Sequence, residues 1–595
     1  MSETTLDFDP GDAVEPVRSG WRRALVVFAV LGAGAYAAGR LAARDDSGTI
    51  PTLAMILLTM LGPLVALLGF GLWWVLLGDG RWWQRLLASF GVGVLAVGAV
   101  IAAHPSMRQF ILGWGVPLTA GVTGLVLAAV PAARRWPVAG AIALVALVPW
   151  LALRVDGVNG EYEMHTSYRW KQSVVDAAAE QLADRATVVP TGTVADLPPA
   201  GPLDYPGFRG ANRDGRVPEA AYRGWDGSPP KERWRNNPVG PAWSSFCAVG
   251  EFVFTQEQRG ESESVVCYRA DTGKEVWSRG QPGKHSDGQS GSGPRATPTY
   301  ANGRLFAIGA SGSVSCLRAE SGEPVWTVNL AERFGATKPN FGLSTSPLVV
   351  GDLVVINPSS SAAPRLVALD GATGATRWAA EPHGADGYSS PQSATIAGAE
   401  QVLIFNNAGL FGHDPRTGGE LWHYDWPVKI MEPTAVQPLV LPDGRVVIGG
   451  GNVGLGSRCV KVRREGAGWA AGEVWKTTRF TPKFNDMVHV GEALFGLDSG
   501  RLVCLDLKNG SVRWKEGNYG AGQLLLVGDR LLIVCESPGQ LACVAAKPDE
   551  YEELWKVDVV KEKTWNHPVI ARGRLFFRNA TEMVAFDLPG WSGGP

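Results

Sequence analysis

The pattern of apolar and charged positions divides the chain in two. Residues 24–39, 50–77, 86–103, 109–133 and 136–153 carry no charged side chain. A helix crosses the roughly 30 Å hydrocarbon core of a bilayer with about 20 apolar residues. The pattern therefore predicts a five-helix transmembrane region over residues 21–153, the shorter runs helped by flanking Arg side chains that snorkel to the interface. Arg18, Arg22, Arg23, Arg81, Arg85, Arg134 and Arg135 fall on one side of this arrangement, and Arg40, Arg44 and Arg108 on the other. The more basic side faces the cytoplasm. Residues 1–20 are then a cytoplasmic tail, and everything after residue 153 is periplasmic, as in a multi-pass protein of the bacterial inner membrane. Trp73, Trp74, Trp82, Trp83 and Trp136 lie where interfacial aromatic belts form. The long runs lack Asp, Glu and Lys, so the expected region anchors the chain in the lipid bilayer and conducts nothing.

Residues 154–203 read as a polar linker. Its later part, rich in Pro, Gly and Thr (TVVPTGTVADLPPAGPLDYP, 187–206), has the composition of an extended tether. Beyond it, short runs such as Arg304–Ile308 and Arg530–Val534 alternate apolar and polar residues with the period of strands. One unit recurs: a small residue, a polar hairpin tip, Gly, three residues, then Trp. It appears as CYRADTGKEVW at Cys267, CLRAESGEPVW at Cys316, ALDGATGATRW at Ala368, GHDPRTGGELW at Gly412 and CLDLKNGSVRW at Cys504. Looser copies with longer tips end at Trp475 and Trp555. Trp277, Trp326, Trp378, Trp422, Trp475, Trp514 and Trp555 are 49, 52, 44, 53, 39 and 41 residues apart, and Trp234 precedes Trp277 by 43. Such periods belong to four-stranded propeller blades. The tip Gly supplies the left-handed residue that a short hairpin needs, and each Trp is the inward residue that docks its blade on the next. A last unit starts at Asn566 and ends at Phe586-Asp587-Leu588 without a Trp strand. Lys231–Arg235 (KERWR) is a Trp strand without a unit. Joining the two gives an all-β propeller of eight four-stranded blades over residues 204–595. It closes by strand exchange between the ends, which removes exposed sheet edges. Seven blades with one irregular unit left outside is the alternative count.

Composition narrows the chemistry. Charged residues are 19 per cent, Trp numbers 23 and the formal charge is -2. These exclude a disordered chain and argue against a general nucleic-acid binder. Seven Cys in 595 residues do not make a disulfide scaffold. Cys267, Cys316, Cys459, Cys504 and Cys543 share the position that Ala368 and Gly412 fill elsewhere, and read as small buried hydrophobes. Gly449-Gly450-Gly451-Asn452-Val453-Gly454 fits G-x-G-x-x-G, but a strand over Ser457–Val462 follows it, where the dinucleotide fingerprint requires a helix. Gly288–Arg295 (GQSGSGPR) lacks the Lys of a phosphate loop. Neither H-E-x-x-H nor a Cys-x-x-Cys pair occurs, so no metal site is expected.

The loops that enter the innermost strands line one end of a propeller's funnel. Just before these strands stand Arg295, Ser344, Tyr388, Glu432, Asn485, Trp565, Asn566 and His567. Glu257 and Arg259, from the long strand pair of the first unit, join them. This mixture suits a polar ligand. Its plainer use is to satisfy loop backbone groups and to solvate the rim. No residue stands out as catalytic.

The repeat unit resembles that of the quinoprotein propellers, in which a Trp from each blade docks on its neighbour. It is also similar to the repeat of the propeller subunit of the bacterial outer-membrane barrel assembly machinery. The stretch Tyr205–Gly215 (YPGFRGANRDG) resembles the opening motif of PQQ-like repeat proteins of the bacterial envelope. The resemblance covers about 205–590 and implies a fold, while chemistry does not travel with a fold. Five spans followed by a propeller is also the layout of membrane-bound glucose dehydrogenase, a likeness that implies PQQ, Ca²⁺, a base Asp and electron delivery to ubiquinone. Against it, the units are lean, and no Glu, Asn and Asp set aligns with Ca²⁺ ligands. The adjacent cysteines of many quinoproteins are also absent, as they are in the membrane glucose enzyme. The expectation is thus a membrane-anchored periplasmic propeller that binds an envelope protein or ligand as a scaffold. The alternative is a PQQ-dependent dehydrogenase feeding the quinone pool.

Overall fold

The computed structural model describes residues 24, 26–28, 30–35, 37, 65, 69, 72, 76, 81–108, 141, 145, 147–159, 164–189, 197–287, 289–382, 386–426, 434–450 and 455–593. The chain divides into two compact units, Met1–Arg154 with Tyr168–Trp170, and Val155–Ser167 with Lys171–Pro595.

The first unit corrects the expectation of five transmembrane helices. Among the described residues, no helix is long and apolar enough to cross a membrane. The helix Trp82–Ala102 overlaps the expected segment 86–103, but its first turn is Trp82-Trp83-Gln84-Arg85. Much of 24–39, 50–77 and 136–153, and nearly all of 109–133, lies outside the described residues. A run without charge is a statement of composition, whereas a span needs an unbroken apolar helix. Pro51, Pro63, Pro117, Pro131 and Pro137 fall within these runs, and a count of charges does not register them.

The second unit is a propeller of eight four-stranded antiparallel sheets. Blade 1 runs from Cys247–Val249 to Glu275–Pro282, and blade 2 from Thr299–Ala301 to Pro324–Asn329. Blade 3 runs from Leu348–Val350 to Thr376–Ala379, and blade 4 from Gln392–Ile396 to Glu420–Asp425. Blade 5 runs from Leu439–Val440 to Gly468–Thr477, blade 6 from Met487–Val490 to Val512–Glu516, and blade 7 from Gln523–Val527 to Glu553–Val560. Within each, successive strands pair in chain order from the channel outward. Blade 8 takes three strands from the end of the chain, Val569–Ala571, Arg574–Arg578 and Met583–Asp587. Its fourth strand is Lys231–Asn236, paired antiparallel with Met583–Asp587. The strand exchange expected from the orphan KERWR segment therefore closes an eight-membered ring.

Each unit of the repeat has a visible cause. The small residue lies directly across the ladder from the Trp, as in Cys267↔Trp277, Ala368↔Trp378, Gly412↔Trp422 and Ala585↔Trp234. A larger side chain there would meet the indole. Immediately after that pair the register slips by one residue, a bulge that twists the outer strand. The indole then crosses to the next blade. The Nε1 of Trp277 donates to Ala319 O at 3.0 Å, Trp326 to Gly371 O at 3.1 Å and Trp378 to Pro415 O at 2.9 Å. Trp475, Trp514 and Trp234 reach Leu507, Pro548 and Ala270 in the same way. Trp555 of blade 7 donates to Gly227 O at 2.7 Å, so the segment ahead of Lys231–Asn236 serves as the missing tip of blade 8. Trp422 is the exception. Blade 5 replaces the short tip by the long hairpin Ser457–Glu465 and Gly468–Thr477, and the Trp422 Nε1 bonds Gln401 of its own blade at 2.7 Å.

The expected tether is not free where it is described. Val188 exchanges two backbone hydrogen bonds with Ser278, at 2.9 and 3.0 Å, on the outer strand of blade 1. The carbonyls of Leu197 and Pro198 accept the Tyr300 hydroxyl at 2.9 and 2.7 Å. An open strand edge is a template for any extended segment, and here the chain's own linker takes it.

Candidate functional site

The innermost strands begin with a repeated residue type. Ser245, Thr297, Ser346, Ser390, Gln437, Asp486, Gly522 and His567 stand at equivalent places, one per blade, and Pro298, Pro347, Pro391, Pro438 and Pro568 follow five of them. Their side chains link the blades into a girdle around the channel mouth. The backbone N–H of Ser245 donates to Thr297 Oγ1 at 3.1 Å, Thr297 to Ser346 Oγ at 3.0 Å and Ser346 to Ser390 Oγ at 2.9 Å. Ser390 donates to Gln437 Oε1 at 3.1 Å, and Gln437 to Asp486 Oδ1 at 2.9 Å. Blade 7 offers only Gly522, whose carbonyl accepts the Asn485 amide. Asp486 spans this gap: its Oδ2 lies 2.9 Å from His567 Nε2. The Ser245 hydroxyl, donating to His567 O at 2.5 Å, completes the circle.

The channel inside the girdle is filled by residues 203–217, which include the YPGFRGANRDG stretch. Tyr205 pairs its backbone with Ala248 of blade 1, and Pro206 O accepts from Tyr300 N of blade 2 at 2.8 Å. Arg213 donates to Ser346 O at 3.2 Å, to Pro391 O at 2.8 Å and to Pro347 O, and Asn212 O accepts from Gln392 at 2.8 Å, which engages blades 3 and 4. Arg209 donates to Met487 O of blade 6 at 2.7 Å. Gly215 and Val217 bond both sides of Leu526 in blade 7, and Asp204 pairs with Arg572 of blade 8 at 2.8 Å. Beside blade 5 a cavity of about 260 Å³ remains, lined by Asn212, Arg213, Asp214, Gln392, Pro438 and Leu439 among others. The plug thus bonds seven blades from the axis.

Two of its three arginines are buried, 1 per cent exposed for Arg209 and 4 per cent for Arg213. Arg213 faces carbonyl oxygens without a carboxylate, and burial lowers its pKa to about 9. Arg209 Nε lies 3.3 Å from Asp486 Oδ2. Burial would raise the Asp486 carboxyl, but Arg209 and the His567 hydrogen bond outweigh it and hold the group below its usual range.

The residues singled out from the sequence fall into separate places. His567 is joined to Asp486 and stacks edge-on with Phe208 of the plug, centroids 5.1 Å apart. Asn566 is buried and donates to Ser244 O at 2.8 Å. Trp565 donates to Glu536 Oε1 at 2.6 Å and packs on Trp243 and Phe484, centroids 4.9 and 5.4 Å away. Arg295 is held by Asp287 at 2.9 Å and by loop carbonyls. Burial raises Asp287, yet His285 and Arg295 pull it down to about 2. Tyr388 is half-buried, its hydroxyl accepting from Phe341 N at 3.3 Å, and Ser344, shortly after Phe341 in the chain, is half-buried at the blade 3 entrance. Glu257 and Arg259 do not reach the channel. Glu257 Oε2 accepts from Arg259 at 2.9 Å and from Gly240 N at 3.0 Å, and its Oε1 accepts from Tyr268 at 2.6 Å. Arg259 also pairs with Glu275 at 2.9 Å. Glu432 lies outside the described residues. The sequence reading passed over Asp486, Lys563 and Trp243. It named the stretch holding Arg209 and Arg213 without placing it. The recurring Ser/Thr/Gln/His-Pro pair was the available signal for the girdle.

A quinone cofactor with Ca²⁺ would need open carboxylate and amide oxygens at this mouth and an indole face on which to stack. The residues present do not fit it. Asp486 and Glu257 are filled by cations and hydrogen bonds, Asn485 and Asn566 are turned to backbone carbonyls, and Lys563 covers the Trp565 ring at 4.2 Å. Among the described residues, no group of three or more His, Cys, Asp or Glu is placed to hold a metal ion.

No protein of curated function matches the chain. Among solved structures, BamB from Moraxella catarrhalis is similar at 13% identity, covering 60% of this chain and 100% of its own, with a TM-score of 0.43. Quinohemoprotein alcohol dehydrogenase from Comamonas testosteroni is similar at 12% identity over 66% of this chain and 82% of its own, with a TM-score of 0.46. The computationally designed Ika8 protein is similar at 12% identity over 60% and 99%, with a TM-score of 0.42. Residues 261–516, from the second hairpin of blade 1 to the end of blade 6, match the family described as outer membrane protein assembly factor BamB. The repeats over residues 261–516 are therefore similar to those of the BamB-like, PQQ-type repeat family.

Proposed function

We propose that the propeller is a protein-binding scaffold of the bacterial cell envelope. The observation that carries this reading is the commitment of the interior. The girdle bonds itself, the plug fills the channel, and the buried carboxylate of Asp486 at the mouth is paired with Arg209 of the plug. What is left to offer a partner is the outer surface of the blades, where Val325, Val474 and Leu554 stand exposed beside the docked tryptophans. The family matched over 261–516 is named for envelope protein assembly, which favours a protein as the partner.

The test is photo-crosslinking in intact cells, from probes placed singly at Val325, Val474 and Leu554 and at the plug residue Asn212. A discrete protein adduct from at least one outer-strand position is expected. No adduct from any of them would overturn the reading. Calorimetry of the full chain with PQQ and Ca²⁺ should give no binding heat, and tight Ca²⁺-dependent binding would turn the molecule into a dehydrogenase.

A further inference from the structure

Lys563 stands just ahead of the innermost strand of blade 8 and takes no part in the girdle. Its Nζ lies 4.2 Å from the ring centroid of Trp565 and 5.7 Å from that of Trp243. The two indoles tilt at 44° to each other, and Phe484 meets Trp565 edge-on. The amine gives a hydrogen bond to the Val158 carbonyl at 2.8 Å. It has no ion pair. Glu536 receives Trp565 Nε1 at 2.6 Å and Ala521 N at 2.9 Å. Asp287 receives Arg295 at 2.9 Å and stands 3.1 Å from His285. Lys563, Trp243, Trp565 and Phe484 are all half-buried, which sets an aromatic wall beside the amine.

Indole faces and one carbonyl replace only part of an ammonium's hydration. Burial accordingly lowers the Lys563 pKa to about 8, with Glu536 and Asp287 pulling the other way. Near that pH the lone pair is available, in a cleft whose walls favour flat, apolar molecules.

We propose that Lys563 is a covalent capture site for planar aromatic carbonyl compounds, which stack on Trp565, Trp243 and Phe484 and condense with Nζ. The amine lone pair attacks the carbonyl carbon and a C–N bond forms. The carbonyl oxygen leaves as water, taking both hydrogens of the neutral amine, and an imine remains. Nothing is oxidised or reduced, and water reverses the step. The proposal does not rest on the scaffold reading.

The test treats the full chain with limiting salicylaldehyde near pH 8, traps imines with borohydride and maps adducts by peptide mass. The trapped adduct is expected at Lys563, with a labelling midpoint near its own pKa. Exposed lysines such as Lys274 and Lys508, which have no aromatic wall beside them, should label at least about ten-fold more slowly. Tryptophan fluorescence should be quenched as the imine forms, and Lys563→Arg, which keeps the charge, should abolish both signals. Acetaldehyde, which has no ring to stack, should lose the selectivity. Even labelling across the lysines, or a midpoint at Lys563 equal to that of Lys274, would overturn the proposal. Equal selectivity for acetaldehyde would overturn the stacking role of the tryptophans.

Discussion

A glycine at the tip of a blade hairpin answers two demands at once. Gly322 has φ +70°, and a Cβ built on it would lie 2.5 Å from the Trp277 ring of the preceding blade. Gly273, Gly374, Gly418 and Gly510 meet Trp234, Trp326, Trp378 and Trp475 in the same way. Gly351 has φ +60° but nothing within 4 Å. Gly351→Ala should therefore cost only the left-handed backbone term, about 1 kcal/mol. Gly322→Ala adds a clash and should cost about 3 kcal/mol, as overpacking does elsewhere, and urea midpoints separate the two. Lys563 gives a second expectation. In the fold it keeps its proton to about pH 8, and in the unfolded chain to about 10.4. Between these values the unfolded chain binds more protons, so stability rises with pH. Lys563→Met should remove that rise and stabilise the chain near pH 7 by about 2 kcal/mol, read from unfolding curves on either side of the window.

At the scale of elements, Lys231–Asn236 stands out because blade 8 is completed by no other strand. Trp234 is 9 per cent exposed, bonds Ala270 O at 3.0 Å and presses on Gly273 of blade 1. Trp234→Ala should cost about 4 kcal/mol and should open blade 8 to hydrogen exchange before the other blades. The plug gives a further expectation. Arg213→Met leaves carbonyls of blades 3 and 4 without their donor and should cost about 3 kcal/mol. Arg213→Lys should recover only part of this, because an ammonium lacks the planar fork. Much of this scale was legible. The Trp spacing and the orphan KERWR strand contain the blade count, because hairpin tip, cross-strand pair and indole dock are all local. The plug was not legible, because its anchors are carbonyls and N–H groups of the inner strands, which every residue type carries.

At the scale of the whole molecule, the charge pattern misled at one end and was silent at the other. Charge-free runs before residue 153 suggested spanning helices, yet among the described residues no helix is long and apolar enough to cross a membrane. At the channel mouth, Arg295, Asn485, Asn566 and His567 carried two readings, a surface for a polar ligand and the plainer one of satisfying loop groups. Each is bonded to another blade or to its own loop. A sequence lists polar groups without saying which are already satisfied, and only the ring geometry decides that. The strand that closes the ring also sets a timetable. Lys231–Asn236 leaves the ribosome early, while its partner Met583–Asp587 follows roughly 350 residues later. At about 5 to 20 residues per second that delay is about 20 to 70 s. Throughout it a finished Trp strand, and a plug meant for a channel that does not yet exist, have no place to go. A newborn chain of this kind needs a holder until its last strand is made.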